Sequence, residues 1–329
     1  MNIFRREIVK IFPKTNTNLI CGYGSGFFQQ NSKVEEKMID MMICVNDSLS
    51  WHKENIQQNH QHYSGLMKLF GPKLISTLQR CGEKVYFNTG SQFLGHSIKY
   101  GVIDSNSFKD DLLLWKNMYI SGRFHKPIEM LYSTPQIKNL DLHQFNVDKP
   151  VNIQKCDLSF AIHRNRFMAL STAILMLSIE KENTFLFRNI FQRISNLSYG
   201  GDVRTYFAED TKKVEKIING SYSKFVDIYQ PYFKILSDTL PNDIFIDEDK
   251  HTITIIKSSK LNEYLKYTIE PILQELYTKK SFIPQFNKIL QKRVFWSSIS
   301  QAIKCSITVK PSISIRYIIR KMNKFMNSQ

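Results

Sequence analysis

A mixed α/β first part followed by a mostly helical second part is the fold class that this 329-residue sequence predicts. Three observations predict it. Apolar runs of strand length alternate with stretches of helical spacing over the first half, helical spacing dominates from about Asp157, and one basic amphipathic stretch begins at Ser312. Two domains suit the length, since single cores stop growing at roughly 250–300 residues. The expected division is 1–155, 156–295 and a tail at 296–329.

Ile3, Phe4, Ile8, Ile11 and Phe12 share a helical face that ends at Pro13. These residues therefore read as part of the fold and not as a cleavable presequence, although Arg5, Arg6, Lys10 and Lys14 stand among them. Leu19 to Tyr23 reads as a short strand, and Met38 to Val45 as a continuous apolar strand around one carboxylate. Residues 50–80 carry helical spacing, with Leu66, Leu69 and Phe70 on one side and Leu74 and Leu78 beyond a break at Gly71-Pro72. Val85 to Asn88 and Ser97 to Ile103 read as strands, and Leu112 to Tyr119 as a helix. Helices are then expected over Arg164 to Ile179, Leu186 to Ile194 and Thr211 to Gly220, with a short strand at Thr252 to Ile256.

Hydrophobic residues make up 42% and charged residues 22%, so a folded chain is the default. The five cysteines are odd in number, scattered, and never in a Cys-x-x-Cys pair. That argues against a disulfide framework and a zinc site, and suits a reducing compartment. A net charge of +16 implies polyanionic company: nucleic acid, nucleotide or an anionic membrane. Eleven Lys and Arg residues follow Glu275, and no acid does. The longest apolar stretch, Phe167 to Ile179, is shorter than the roughly 20 residues a bilayer requires, so membrane contact is expected to be peripheral. In the tail, Ile315, Ile318, Ile319, Met322, Phe325 and Met326 fall on one helical face, opposite Arg316, Arg320, Asn323 and Lys324. Such a helix lies in a lipid interface or docks on its own domain; the lack of acid favours an anionic membrane surface.

Cys21-Gly22-Tyr23-Gly24-Ser25-Gly26, with Asp40 following in the next apolar run, is the most informative feature. Glycines let backbone N–H groups approach a polyphosphate, and a strand-end carboxylate holds the divalent cation that phosphates need. Glycine-serine turns are common, and a lone Asp in an apolar run is also explained by solvation at a strand end. The surroundings add weight: Trp51-His52-Lys53-Glu54-Asn55, Asn59, His62-Tyr63-Ser64, Ile98-Lys99-Tyr100-Gly101-Val102-Ile103, Tyr119-Ile120-Ser121-Gly122-Arg123 before Lys126-Pro127, and Leu197-Ser198-Tyr199-Gly200-Gly201-Asp202-Val203-Arg204. In this order, from Phe4 to about Asn219, they resemble the Tam41/MMP37 family of mitochondrial phosphatidate cytidylyltransferases.

The resemblance implies a polymerase-β-like nucleotidyltransferase domain, a winged-helix-like second domain, and synthesis of CDP-diacylglycerol from CTP and phosphatidic acid for cardiolipin production. It also implies Mg2+ as cofactor, the matrix side of the mitochondrial inner membrane as location, and no nucleic acid as partner; bacterial relatives leave a cytoplasmic membrane face as the alternative compartment. By analogy, Tyr23, Gly24, Ser25 and Gly26 would hold the nucleotide and Asp40 the metal. Met42 occupies the place of the superfamily's usual second carboxylate, so another acid is required. Asp202 is the candidate, or else a turn aspartate paired to Arg204; Asp47, Asp104, Asp110 and Asp111 are weaker candidates. Lys99 in a strand that wants burial must meet an anion, either the triphosphate or a structural carboxylate. Arg123, Lys126 and Arg204 would clamp phosphate. His52, Asn55, Asn59 and His62 recur at helical spacing and offer a polar face to nucleotide or lipid head group, or a wholly structural one. A histidine metal site is not expected beside oxygen-ligand chemistry. The competing functions are a nucleotidyltransferase acting on RNA or protein, and a non-enzymatic nucleic-acid binder; the charge beyond the helical module lacks the aromatic interleaving of the latter.

Overall fold

Runs of apolar residues flanked by turns produce a five-stranded sheet of order β3-β4-β2-β1-β5. Its strands are β1 (Thr17–Tyr23), β2 (Ile39–Val45), β3 (Val85–Phe93), β4 (His96–Asp104) and β5 (Ile128–Ser133). β2 and β4 pair in parallel, and the other pairs are antiparallel. The computed structural model describes residues 2–28, 38–138, 152–153, 155–180, 182–203, 212–256, 259–269, 272 and 282–308. The expected interfacial helix from Ser312 lies outside them.

The central strand β2 is apolar on both sides because both faces of the sheet are covered. Met42 and Cys44 join Leu19, Cys21, Phe87 and Ile103 against α4 (Ser105–Leu114), α5 (Ser121–Phe124) and the start of α7 (Leu158–Leu177). Ile39, Met41, Ile43 and Val45 turn the other way, with Ile98, Tyr100 and Val102, to meet Phe4 and Ile8 of α1 (Asn2–Ile8) and Trp51 of α2 (Ser48–Gln58). Helix α3 (Gly65–Arg80) completes that side through Met67 and Ile75, which pack with Tyr63 and Tyr86. It carries the anticipated break, with Gly71 at φ +71 before Pro72.

One expected helix is displaced. Helix α4 ends at Leu114, and Trp115 turns left-handed at φ +50. The Asp111 carboxylate causes this: it accepts the backbone N–H groups of Asn117, Met118, Ile120 and Ser121 at 2.7–3.0 Å, giving residues after Trp115 an alternative to helical bonding. A four-residue helix, α6 (Pro135–Lys138), follows β5.

Helix α7 passes from the first core into a second, shared with α8 (Phe187–Tyr199), α9 (Lys213–Thr239), α10 (Ser259–Thr268) and α11 (Phe282–Thr308). A small antiparallel sheet of order β6-β8-β7 lies beside them, from β6 (Thr184–Leu186), β7 (Ile244–Asp247) and β8 (Thr252–Ile255). Only β8 was legible as a strand; β6 and β7 are three and four residues long, too short for alternation to register. Helix α11 runs unbroken through residues 295 and 296 and reaches back to the first core. There Lys304 meets the carbonyls of Cys81 and Val85 at 2.7 and 3.1 Å and the carboxylate of Glu83 at 3.2 Å. Among the described residues no helix is long and apolar enough to cross a membrane.

Candidate active site

The strand β1 delivers the chain into a 3-10 turn over Gly24–Gly26. The carbonyl of Gly24 closes this turn by accepting the N–H groups of Phe27 and Phe28 at 3.2 and 3.1 Å. Gly24 holds φ at +75, a region side chains rarely enter, and a Cβ there would stand 3.9 Å from Asp40 Oδ2. At Gly26 a Cβ would lie 2.9 Å from the carbonyl oxygen of Met38. The turn therefore folds directly over the start of β2, with the Asp40 carboxylate under Gly24.

Strand register adds the next two groups. Tyr23 pairs with Asp40 across β1 and β2, and Asp40 pairs with Lys99 across β2 and β4. Residues in register point to the same side of a sheet, so Tyr23, Asp40 and Lys99 form a row on the face that carries Met42 and Cys21. Lys99 Nζ stands 4.6 Å from the Phe87 ring centroid, over an aromatic face that attracts a cation. Gly101 makes room for that ring, since a Cβ there would come within 2.7 Å of it.

Arg123 closes the row from α5. Its guanidinium lies 4.0 Å from the Tyr119 ring and 5.4 Å from the Tyr23 ring, and it donates to the Tyr119 carbonyl. The Tyr23 hydroxyl is pushed up to about 12, chiefly by burial, with Arg123 and Lys99 pulling it down and Asp40 adding to the rise. Tyr23 thus stays a neutral phenol and feels the charges of Arg123, Asp40 and Lys99.

Sequence reasoning missed what aims α5. Asn165 on α7 accepts from Trp115 Nε1 at 2.8 Å, meets His125 Nε2 at 3.0 Å, and donates to the Ser121 carbonyl at 3.1 Å. Tyr229 donates to the His125 carbonyl at 2.7 Å, and burial holds His125 neutral, down at about 3. Lys126 then points to α8, donating to Ser198 Oγ at 2.7 Å, with its ammonium 4.9 Å from the Tyr199 ring. Gly122 allows this approach, because a Cβ would fall 2.2 Å from Ser198 Cβ. The one legible signal was the small residue Gly122 beside Arg123.

Asp202 lies two glycines beyond the end of α8 and is buried. Its N–H returns to the Tyr199 carbonyl at 3.2 Å, and neighbouring Gly201 presses on α11, where a Cβ would lie 2.3 Å from the Gln291 carbonyl oxygen. Among the described residues no three of His, Cys, Asp and Glu gather where they could hold a metal ion. The weaker acid candidates are engaged elsewhere. Asp47 caps α2, Asp104 accepts from Ser48 and Gln79, Asp110 pairs with Lys84 and Lys116, and Asp111 holds the loop after α4. Arg204 lies outside the described residues.

The family profile described as mitochondrial phosphatidate cytidylyltransferase, Tam41/Mmp37, matches residues 5–151 and 146–269. The chain belongs to the Tam41/Mmp37 family. It is 30% identical over 347 residues to the mitochondrial phosphatidate cytidylyltransferases of Caenorhabditis briggsae and Caenorhabditis elegans, covering 98% of this chain and 99% of each of theirs. It is 39% identical over 218 residues to the Schizosaccharomyces pombe protein of that name, covering 65% of this chain and 49% of that one.

In this Tam41/Mmp37 chain the polar residues of α2 and of the 3-10 turn that follows it, His60–His62, stand on the opposite face of the sheet from Asp40. Asn55 donates to the hydroxyls of Tyr63 and Tyr100 at 2.8 and 2.9 Å. The Tyr63 hydroxyl then donates to His52 Nδ1 at 2.9 Å, and the Tyr100 hydroxyl meets His62 Nδ1 at 3.0 Å. His52 Nε2 then donates to Gln79 Oε1 at 2.9 Å, and Gln79 donates to Asp104. Asn59 donates to the Ile11 carbonyl and to Asn55 Oδ1 at 2.6 and 2.8 Å. His52, Asn55, Asn59 and His62 are all buried, and desolvation pushes both histidines down to about 4. The structure does not bring these four to the Asp40 row; it joins them to each other.

Proposed function

We propose that this chain is a CTP:phosphatidate cytidylyltransferase that makes CDP-diacylglycerol and pyrophosphate. The single observation that carries it is the row Tyr23-Asp40-Lys99 beneath the Gly24–Gly26 turn, in a chain of the Tam41/Mmp37 family.

The turn's exposed backbone and the Ser25 hydroxyl suit the β- and γ-phosphates of CTP. A phosphate oxygen of phosphatidate then attacks the α-phosphorus; that P–O bond forms as the bond to the β-phosphate oxygen breaks, and pyrophosphate leaves with the electron pair. The nucleophile is already anionic, so the protein's task is positioning and charge neutralisation. Lys99 and Arg123 bring positive charge to the transferring group, and Lys126 extends that charge toward α8.

The donor set suits Mg2+ arriving with the nucleotide, because this ion keeps several waters and takes one or two carboxylates together with substrate phosphates. When bound it would neutralise phosphate oxygens, and Asp40 is the carboxylate that would hold it. Asp202 enters only through its glycine motif; its burial where α8 meets α11 supports a part in fixing that junction.

The finer fold description also belongs to the proposal. The parallel β2–β4 pair bearing Asp40 and Lys99 supports a polymerase-β-like nucleotidyltransferase core in about 1–155. The order α7, β6, α8, α9, β7, β8 with sheet order β6-β8-β7 supports a winged-helix-like module in about 156–295. The relatives' mitochondrial names and the substrate's residence in a bilayer support a peripheral position on the matrix side of the inner membrane. The test is purified chain with labelled CTP, Mg2+ and phosphatidate vesicles. Label should enter lipid with stoichiometric pyrophosphate; label entering RNA and not lipid overturns the proposal.

A further inference from the structure

Large apolar side chains stand exposed at one end of the five-stranded sheet, the end that carries Asp40 and Lys99. Helix α3 begins there. His62, just before it, meets the hydroxyl of Tyr100 beside Lys99, whereas Gln79 near its far end donates to Asp104 at the other end of β4. In the first turns of α3 Met67 is buried, while Leu66, Leu69 and Phe70 are 47%, 79% and 59% exposed. Their i, i+3, i+4 spacing makes one stripe. Gly71 then breaks the helix, so the stripe forms a short prow.

Two other elements expose apolar residues at this end. The β3–β4 hairpin tip projects past Lys99 and exposes Leu94 to 58%. Phe4 of α1 packs edge-on against Phe93 and His96 of the same hairpin, and neighbouring Ile3 is 74% exposed. The charge carried by α3 and its flanking segments has one sign. Between Glu54 and Glu83 the sequence holds Lys68, Lys73 and Arg80 and no acidic residue, and Glu83 itself is buried against Lys304.

We propose that this end of the sheet is a lipid-docking surface: Leu66, Leu69 and Phe70 enter the interface of an anionic bilayer while Lys68 and Lys73 meet its phosphates. Apolar side chains that protrude from a basic helix are what an anionic lipid interface takes up, gaining both burial and charge attraction. Docking here sets the Asp40 row at the bilayer surface, a consequence that rests on phosphatidate being the substrate.

The experiment uses the full chain and vesicles of phosphatidylcholine with phosphatidate. The variant L66E/L69E/F70E should bind these vesicles at least about tenfold more weakly in flotation. Its kcat/KM on vesicle phosphatidate should fall at least about tenfold, with turnover of a short-chain, water-soluble phosphatidate kept within about twofold. Phe70→Trp, which keeps an aromatic at an exposed position, gives a second readout that needs no loss of binding: the emission it adds to that of the wild type should shift to the blue when vesicles are added. Unchanged flotation of the triple variant together with an unmoved emission from the Phe70→Trp variant overturns the proposal. So does a dimer that the triple variant converts to monomer with vesicle affinity intact, which assigns the surface to a second copy of the chain. Should the wild type transfer label to neither phosphatidate while vesicle affinity still depends on the triplet, the cytidylyltransferase proposal fails and the docking surface stands.

Discussion

Asp40 on β2 and Lys99 on β4 pair directly across a parallel strand junction, with Tyr23 opposite Asp40 on its other side. Backbone pairing fixes where this carboxylate and this ammonium leave the sheet, so under the proposed cytidylyl transfer both charges start from a preorganised frame.

Replacing Asp40 therefore reports on chemistry more than on folding. Asp40→Asn should lower the rate of label transfer from CTP to phosphatidate by about 100- to 1,000-fold, the scale of losing one preorganised electrostatic contact. The unfolding midpoint should hardly move, since the side chain is only half-buried. Retained turnover would remove Asp40 from the site.

Asp202 separates two roles. If it acts through the α8–α11 junction, Asp202→Asn should lower the thermal midpoint and leave the Mg2+ concentration for half-maximal activity unchanged. A metal ligand would behave oppositely, raising the Mg2+ requirement about tenfold or more with little thermal effect.

Local signals made much of this legible in the sequence, and distance in sequence hid the rest. The glycines around Ser25 and the lone acid of an apolar run mark turn and strand without help from the rest of the chain. The Asp40–Lys99 register could not be read, because parallel pairing is set by how α2 and α3 cross over the sheet. The three- and four-residue spacing of His52, Asn55, Asn59 and His62 revealed that they sit together. It was silent on which side they face, which Tyr63 and Tyr100 decide. Leu66, Leu69 and Phe70 mark the reverse failure, as apolar helical spacing suggests a core and here faces solvent. Asp111 redirected a whole helix through four backbone bonds that no periodicity announces.

The α2 network should behave as structure. Asn55→Ala removes the donor shared by two buried hydroxyls and should cost about 1–3 kcal/mol for groups left unsatisfied. Denaturant unfolding would measure it. The KM for CTP should stay within about twofold of wild type; a larger rise would bring this face into nucleotide binding.

Acid should weaken the fold through its buried and half-buried histidines. His52, His62 and His163 are pushed down to about 4 and His125 to about 3, chiefly by desolvation, from an ordinary value of 6.5. Below about pH 6.5 the unfolded chain takes up protons that the folded chain refuses, so stability falls with pH until the folded values are reached. At about 1.4 kcal/mol for each pH unit, each such histidine removes up to about 2 kcal/mol between pH 6.5 and pH 5. Thermal midpoints measured across that window should fall steadily, and His52→Gln should flatten the slope by about one proton's share. A midpoint independent of pH over this range would show these imidazoles to be solvated.

Lys304 ties α11 to the first core through a buried ion pair with Glu83, the two side chains being 6% and 1% exposed. The two partners are not equivalent. The ammonium also meets the carbonyls of Cys81 and Val85, so Glu83→Gln leaves it with two acceptors. Lys304→Met instead strands the Glu83 carboxylate in a buried setting, an error worth about 3–5 kcal/mol. Urea midpoints should therefore drop much further for Lys304→Met than for Glu83→Gln, and adding Glu83→Gln to Lys304→Met should recover part of the loss. Equal, small effects for all three variants would mean that α11 is held by its apolar side chains alone, with the ion pair a passenger.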